Sequence, residues 1–375
     1  MSELFQAKSP NLGFGNMRMP RLPDGSPDTA TIFRMVDTFL AHGFSYFDTA
    51  HIYDGSEEML RLALVERYPR ERYQITTKLY LGECAEPEDM MRQFNVSRER
   101  LGLDTLDTYF LHGLGPASYQ KVKDFSAFDF LRGLKEKGLV QHIGFSFHGS
   151  AEELEVLLNE NPDIELVQLQ LNYLDWEDRK VQSRLCYETA RRHGVPISVM
   201  EPCKGGLLAG SDSEAARLLL AAAPDASPAS WAFRFIAGLE GIHVILSGMS
   251  DLAQVEDNCR TFETFRPLSD EELALTRRAV ELINALPGVP CTGCKYCTGA
   301  CPQGLNIPFF MNLYNSLSRF NNLEISRHTY YMATRPARGQ AKASACVGCR
   351  SCEERCPQHI EITKYLHELV ERLEA

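Results

Sequence analysis

One cysteine spacing occurs twice in this chain and limits what its C-terminal part can become. Cys291-x2-Cys294-x2-Cys297-x3-Cys301-Pro302 is repeated as Cys346-x2-Cys349-x2-Cys352-x3-Cys356-Pro357. These two runs hold eight of the twelve cysteines. The other four, Cys84, Cys186, Cys203 and Cys259, are scattered and read as small buried apolar residues. A disulfide-stapled secreted protein is short and cysteine-dense throughout, unlike this chain of 375 residues. A structural zinc site takes four ligands in pairs, not two tetrads each followed by Pro.

Three closely spaced cysteines wrap a short loop around one face of an iron–sulfur cube, where loop amides can reach the sulfurs. The fourth sits too far along to close the same cube and ligates the other, as in bacterial ferredoxins with two clusters. The spacing predicts two [4Fe–4S] clusters. Cys291, Cys294, Cys297 and Cys356 would hold one, and Cys346, Cys349, Cys352 and Cys301 the other.

Charge divides along the same boundary. The net charge is −11, with +3 over residues 288–375 and −14 over the rest. The overall sign argues against a nucleic-acid binder. The insert between the runs reads as largely helical over Pro308–Tyr331 and is basic through Arg319, Arg327, Arg335, Arg338 and Lys342. Two explanations stay open. These cations balance clusters that carry about −2 each, or they dock an acidic electron carrier such as a ferredoxin or flavodoxin-like protein. No apolar run approaches the ~18–20 residues of a membrane span. Met1–Pro10 lacks the basic stretch and apolar core of a signal peptide. Oxygen-sensitive clusters then suggest a cytoplasmic protein.

From Leu12 to about Phe262, short apolar runs alternate with amphipathic stretches. The strands expected are Leu12–Met17, Phe44–Phe47, Tyr73–Lys78, Thr108–Leu111, Gln141–Phe145, Leu166–Leu171, Pro196–Met200 and Val244–Leu246. Helices are expected at Thr29–Ala41, Ser56–Val65, Pro87–Leu101, Ala127–Lys137, Ala151–Asn159, Arg179–Arg192 and Leu252–Arg260. This alternation is the arithmetic of an α/β (β/α)8 TIM barrel. A doubly wound dinucleotide fold would need G-x-G-x-x-G; Gly13-Phe14-Gly15 begins it, but Arg18 breaks it. Ser269 with Glu272 forms a capping box for a further helix that stops at Pro287-Gly288. The expected organisation is a barrel over 1–265, a connecting helix over 266–287 and a small, mostly helical ferredoxin-like domain over 288–375. A helix of that length would return the chain to the catalytic face and bring Cys291 near the barrel mouth.

Barrel chemistry sits at the C-terminal ends of strands. Asp48 follows the second expected strand and Tyr53 lies five residues on; Lys78 ends the third, and His112 follows the fourth. Together these make a proton-donating site. A tyrosine has a pKa near 10 in isolation, and a nearby ammonium favours its phenolate. Asp48 would pair the buried Lys78. His112 would orient a substrate oxygen, and Tyr53 would protonate it.

With these residues the chain resembles the aldo-keto reductase family, in the subgroup with a C-terminal ferredoxin-like extension. The resemblance rests on Leu12-Gly13-Phe14-Gly15, Phe47-Asp48-Thr49-Ala50 with Tyr53, Thr77-Lys78, Leu106-Asp107-Thr108-Tyr109 with His112, and Ile143-Gly144-Phe145-Ser146. It implies a nicotinamide cofactor, NADP or NAD, extended across the barrel mouth. The implied contacts are Met17, Asp48, Ser146, Gln168, Met200, Pro202, Leu207, Gly248, Gln254 and Asn258. Glu201–Leu207 would be the pyrophosphate loop. Three positions depart from the family pattern. Phe147 stands for Asn, Met200 for an aromatic, and Gln254 for the Arg that meets a 2′-phosphate.

The implied activity interconverts a small carbonyl and an alcohol by hydride transfer, with clusters that exchange electrons with a partner. Nicotinamide moves two electrons at once and the clusters one at a time; a flavin normally bridges them, and no flavin fingerprint is present. Besides a barrel that binds no nicotinamide and takes electrons for its substrate straight from the clusters, two alternatives remain. Either the clusters are structural or redox-sensing and the barrel works alone, or the whole is a non-catalytic redox-sensing module.

Overall fold

A computed structural model describes residues 11–374 except 117, 287, 292 and 336–338. The readings made on Met1–Pro10, Pro287 and Arg338 lie outside the described residues. Eight strands form a closed, all-parallel barrel in chain order. They are β1 (Leu12–Gly15), β2 (Tyr46–Asp48), β3 (Gln74–Leu79), β4 (Leu106–Leu114), β5 (Val140–Phe147), β6 (Leu166–Gln170), β7 (Ile197–Met200) and β8 (Ile242–Ser247). Closure is made by Leu12 against Ile245 and Gly13 against Leu246. At Gly13 an added Cβ would lie 2.6 Å from the Leu246 side chain and 2.8 Å from that of Val244, so a larger residue would have to displace them.

Strands buried on both faces read as nearly unbroken apolar runs, which is why they were visible in sequence. The surrounding helices follow the 3.6-residue period. Thr29–Ala41 buries Ile32, Met35, Val36, Phe39 and Leu40, and Asp28 caps it by accepting from the Thr31 amide at 3.1 Å. Ala151–Glu160 starts at a capping box of Ser150 with Glu153.

Several elements differ from the sequence reading. The second strand begins at Tyr46, not Phe44, and ends on Asp48. The stretch Ser56–Val65 is α-helical only to Leu60 and continues as a π-turn over Arg61–Val65. The helix expected from Arg179 starts at Ser183, because Asp178 holds the amides of Lys180 and Val181 in a turn and Gln182 is left-handed. Helices Tyr119–Asp124, Glu214–Ala222 and Pro228–Ala237 were not anticipated. Of the four scattered cysteines, Cys84, Cys186 and Cys259 are buried, but Cys203 is only half-buried.

The chain divides into two compact units. The first comprises the residues up to Gly205 together with Ala223–Thr276, and the second Gly206–Ala222 with Arg277–Ala375. The segment 206–222, read as barrel in the sequence, thus groups with the C-terminal part. A Cβ on Gly206 would lie 3.0 Å from Ile325 of that unit. The helix Asp270–Ala285 carries the predicted capping box, with the Glu272 amide donating to Ser269 Oγ at 3.2 Å. The second unit packs helices Ile307–Phe320, Leu323–Thr334 and Ile362–Leu373 around Phe310, Met311, Leu317, Leu366 and Leu369. Among the described residues no helix is long and apolar enough to cross a membrane.

Candidate active site and cysteine cavities

The polar residues that follow apolar runs converge at one mouth of the barrel. Asp48 closes β2, Lys78 is next to last in β3, and His112 lies within β4, which extends further than expected. Lys78 is wholly buried, and its Nζ donates to Asp48 Oδ1 at 2.6 Å and to the Thr49 carbonyl at 2.7 Å. Tyr53 sits in the turn after β2. Its ring centroid is 5.4 Å from Lys78 Nζ and 5.6 Å from the His112 ring, which it meets edge-on. All four predicted residues are therefore neighbours.

The electrostatics differ from expectation in one respect. Burial pushes Lys78 towards its neutral form and Asp48 towards its protonated form, and their mutual attraction opposes both. For Tyr53, burial raises the phenol well above its usual value, and the charges of Asp48 and Glu201 raise it further. The expected lowering by an ammonium is not what prevails, because burial of the phenol outweighs it and the nearby carboxylates add to the rise.

Several residues of the mouth escaped the sequence reading. Asn16, 1% exposed, donates from Nδ2 to the carbonyls of Asp48 at 3.1 Å and Phe14 at 3.0 Å. Ser198 of β7 accepts from Gln168 Nε2 at 3.4 Å. Tyr80 lies 5.9 Å from the His112 ring and meets it edge-on. The signal for Tyr80 was its place two residues past Lys78, on a segment that alternates inward and outward.

The residues carried over for a nucleotide are placed as follows. Gln168 donates to Asp48 Oδ2 at 3.2 Å, and Ser146 Oγ accepts from the Gly113 amide at 2.7 Å. Met200 ends β7, Pro202 is buried, and Leu207 is half-buried in the 3-10 turn Lys204–Ala209. Gly248 and Met17 are exposed, and Asn258 is buried with Nδ2 donating to Ser247 Oγ at 3.0 Å. Gln254 is exposed and turned back on its own helix start, donating to Asp251 Oδ2 at 2.8 Å. After β7 the backbone is left-handed at Glu201, Lys204 and Gly205, with φ of 58°, 46° and 66°. Arg18 straps this loop, donating to the Gly205 carbonyl and lying 4.0 Å from Glu201. A Cβ at Gly205 would lie 3.0 Å from Arg18 Nη2. An arginine beside a left-handed turn suits an anionic group. Lys204 is not free to serve it, since its ammonium pairs with the buried Asp175.

The second unit holds two cavities, each lined by four cysteines. One is lined by Cys291, Cys294, Cys297 and Cys356 together with Ile307, Pro308, Met311, Ile360 and Ile362. The other is lined by Cys301, Cys346, Cys349 and Cys352 with Leu305, Ile307 and Leu366. The sets are those the spacing predicts, with the fourth cysteine exchanged between the runs. The two loops share a conformation. Gly293 and Gly348 have φ of 72° and 70°, and Lys295 and Arg350 have φ of 66° and 60°. Among the described residues no three His, Cys, Asp or Glu side chains converge as a single ion requires. Four thiols around each mostly apolar cavity suit a polynuclear cube.

Fold and site together define an aldo-keto reductase barrel joined to an iron–sulfur module. Residues 11–281 match the aldo/keto reductase family and residues 290–361 the 4Fe-4S dicluster domain. The chain belongs to the aldo/keto reductase family and carries a C-terminal dicluster domain. It is 31% identical over 213 residues to the aldo-keto reductase str7 of Strobilurus tenacellus, a match covering 53% of this chain and 60% of that one. With an aldo-keto reductase of Mycolicibacterium smegmatis it shares 30% identity over 204 residues, covering 53% of this chain and 66% of the relative. The chain thus spans less than two thirds of the length of these curated relatives. An aldo/keto reductase from Klebsiella pneumoniae, solved with NADP and acetate, superposes with a TM-score of 0.57 at 22% identity. That match covers 72% of this chain and 91% of the neighbour. A holo aldo-keto reductase from Bacillus halodurans superposes with a TM-score of 0.58 at 22% identity, covering 72% of this chain and 91% of that one. These likenesses establish the barrel.

Proposed function

We propose that the chain is an NADP- or NAD-dependent oxidoreductase that interconverts a small carbonyl and an alcohol. The observation that carries this reading is the buried Lys78–Asp48 pair lying beneath Tyr53, with His112 against the same ring. A nicotinamide cofactor, when bound, supplies or accepts the hydride. Asp48 counters the burial that favours a neutral Lys78, since an unpaired ammonium there would be costly. His112 positions the substrate oxygen beside the Tyr53 hydroxyl. Burial keeps Tyr53 protonated, the form that can donate, so Tyr53 gives its proton to the oxygen as the carbonyl is reduced. Gln168 and Ser198 steady the far side of Asp48. The left-handed loop after β7 and the Arg18 strap are the groups suited to the cofactor's phosphates.

Two [4Fe–4S] clusters, when loaded in the two cavities, supply one-electron transfer, and we read them as exchanging electrons with a partner protein. A second reading rests on a specific observation. Ile307, Met311, Ile362 and Leu366 line the cavities and also belong to the core of the unit, which suits clusters with a structural role.

The direct test is Tyr53→Phe. Carbonyl turnover is expected to fall to background while cluster absorbance stays intact. Unchanged turnover would remove Tyr53 from the reaction.

A further inference from the structure

Each cysteine cavity has one exposed cysteine among its four. Cys294 and Cys349, the second cysteines of the two runs, are the exposed ones; the other six are half-buried or buried. The residue after each is a cation on left-handed backbone, Lys295 and Arg350. Equivalent as the corners are in spacing, they differ in charge. Beside Cys349, Arg350 lies 4.0 Å from Glu353, and Glu354 is exposed. Beside Cys294 there is no acid in the local sequence, because no Asp or Glu occurs between Glu281 and Glu324. In a chain with 50 acidic residues and a net charge of −11, this is a long acid-free stretch.

The first corner has further docking features. Tyr296 is 64% exposed, an unusual setting for an aromatic ring. Lys295 lines the cavity and is itself exposed. Arg355, also exposed, precedes Cys356, the fourth cysteine of the same cavity. An exposed aromatic beside a cation and an exposed cysteine is what a transient redox contact needs. Such contacts are small, below about 1,200 Å² in total, and depend on charge for their rate of encounter.

We infer that the Cys294–Lys295–Tyr296 corner docks a small, acidic one-electron carrier. This rests on the electron-exchange reading above. One electron passes between the reduced carrier and the cluster held by Cys291, Cys294, Cys297 and Cys356. The carrier is oxidised by one electron and the cluster is reduced by one; no bond breaks and no proton moves. Lys295 and Arg355 attract the carrier, and Tyr296 supplies the apolar contact at closest approach.

The test uses the full-length, cluster-loaded protein and a purified acidic flavodoxin. Binding of oxidised flavodoxin is measured by calorimetry, and cluster bleaching by flavodoxin hydroquinone is followed in a stopped-flow mixer. Lys295→Glu is expected to weaken binding and slow bleaching about tenfold at low salt, and to remove most of the salt dependence. Lys342→Glu is expected to change neither by more than about twofold. Should Lys295→Glu fail to load, the pair Lys295→Gln and Arg355→Gln makes the same measurement with a milder change. If the variants behave as the parent while flavodoxin still reduces it, the carrier docks elsewhere; the inference falls and electron exchange stands. If dithionite bleaches the clusters but flavodoxin neither binds nor reduces them, both fall. Faster exchange with basic cytochrome c than with flavodoxin would also overturn the charge assignment.

Discussion

Gln168 on β6 and Asp48 on β2 are joined across the barrel mouth by a 3.2 Å hydrogen bond from the Gln168 amide to the carboxylate. With Lys78 on the other oxygen, Asp48 is held from two sides and is 4% exposed. Removing one charge of such a pair strands the other. Lys78→Met is expected to destabilise the barrel by about 3–5 kcal/mol. Adding Asp48→Asn to that variant should restore most of the stability and none of the activity. Urea unfolding of the two variants alongside turnover assays checks this. Equal stability of the single and double variants would mean that the pair is not an isolated electrostatic unit.

Tyr53 sets the pH behaviour. Burial raises its phenol above the ordinary value of about 10, so the protonated form persists across neutral and mildly alkaline pH. Carbonyl reduction uses that form and is expected to stay flat as pH rises through about 9. Alcohol oxidation needs the phenolate and should climb with pH over the same range without levelling off. A pH profile of kcat in both directions measures this, and an oxidation plateau below about pH 9 would mean that Lys78 stabilises the phenolate after all.

Nucleotide choice turns on Gln254. Its side chain is tied to Asp251 and offers no cation to a 2′-phosphate. Gln254→Arg would add a charge-assisted hydrogen bond worth about 1.5–3 kcal/mol, or at least about tenfold in affinity. The expected result is a lower KM for NADPH with kcat unchanged and little effect on NADH. An unchanged NADPH KM would place the adenosine end of the cofactor elsewhere.

Iron removal separates the two readings of the cysteine cavities. A chelator under reducing conditions is expected to melt helices Ile307–Phe320 and Ile362–Leu373, because Ile307, Met311, Ile362 and Leu366 each belong to a cavity wall and to the core. Far-UV circular dichroism records that loss. Carbonyl turnover by the barrel should survive it if the clusters only exchange electrons with a partner. Turnover lost in step with the circular dichroism signal would mean that the barrel depends on them.

Much of this was legible in the chain itself. The barrel strands could be read because parallel strands buried on both faces must be apolar throughout, and Asp48, Lys78 and His112 stand out where those runs stop. The cysteine sets could be read because spacing limits which sulfurs can reach one cube. Other features were hidden for physical reasons. Asn16 acts through backbone carbonyls, which no side-chain pattern reports. The π-turn after Leu60 keeps the apolar spacing of an α-helix while changing its hydrogen bonding. The elevated Tyr53 phenol follows from burial and from the charge of Asp48, quantities that only the folded chain defines.

The exchange of Cys301 and Cys356 between the cavities also bears on how the protein is made. Each cavity draws its fourth thiol from the other run, and Ile307 walls both. A nascent chain that has emerged only as far as Cys301 therefore offers three ligands for the first cavity and one stray thiol. The second set is complete only when Cys352 has left the ribosome and the first only when Cys356 has, so cluster loading would be a step for a nearly full-length polypeptide. A prematurely terminated product would lack it and expose apolar surface to the cell's proteases.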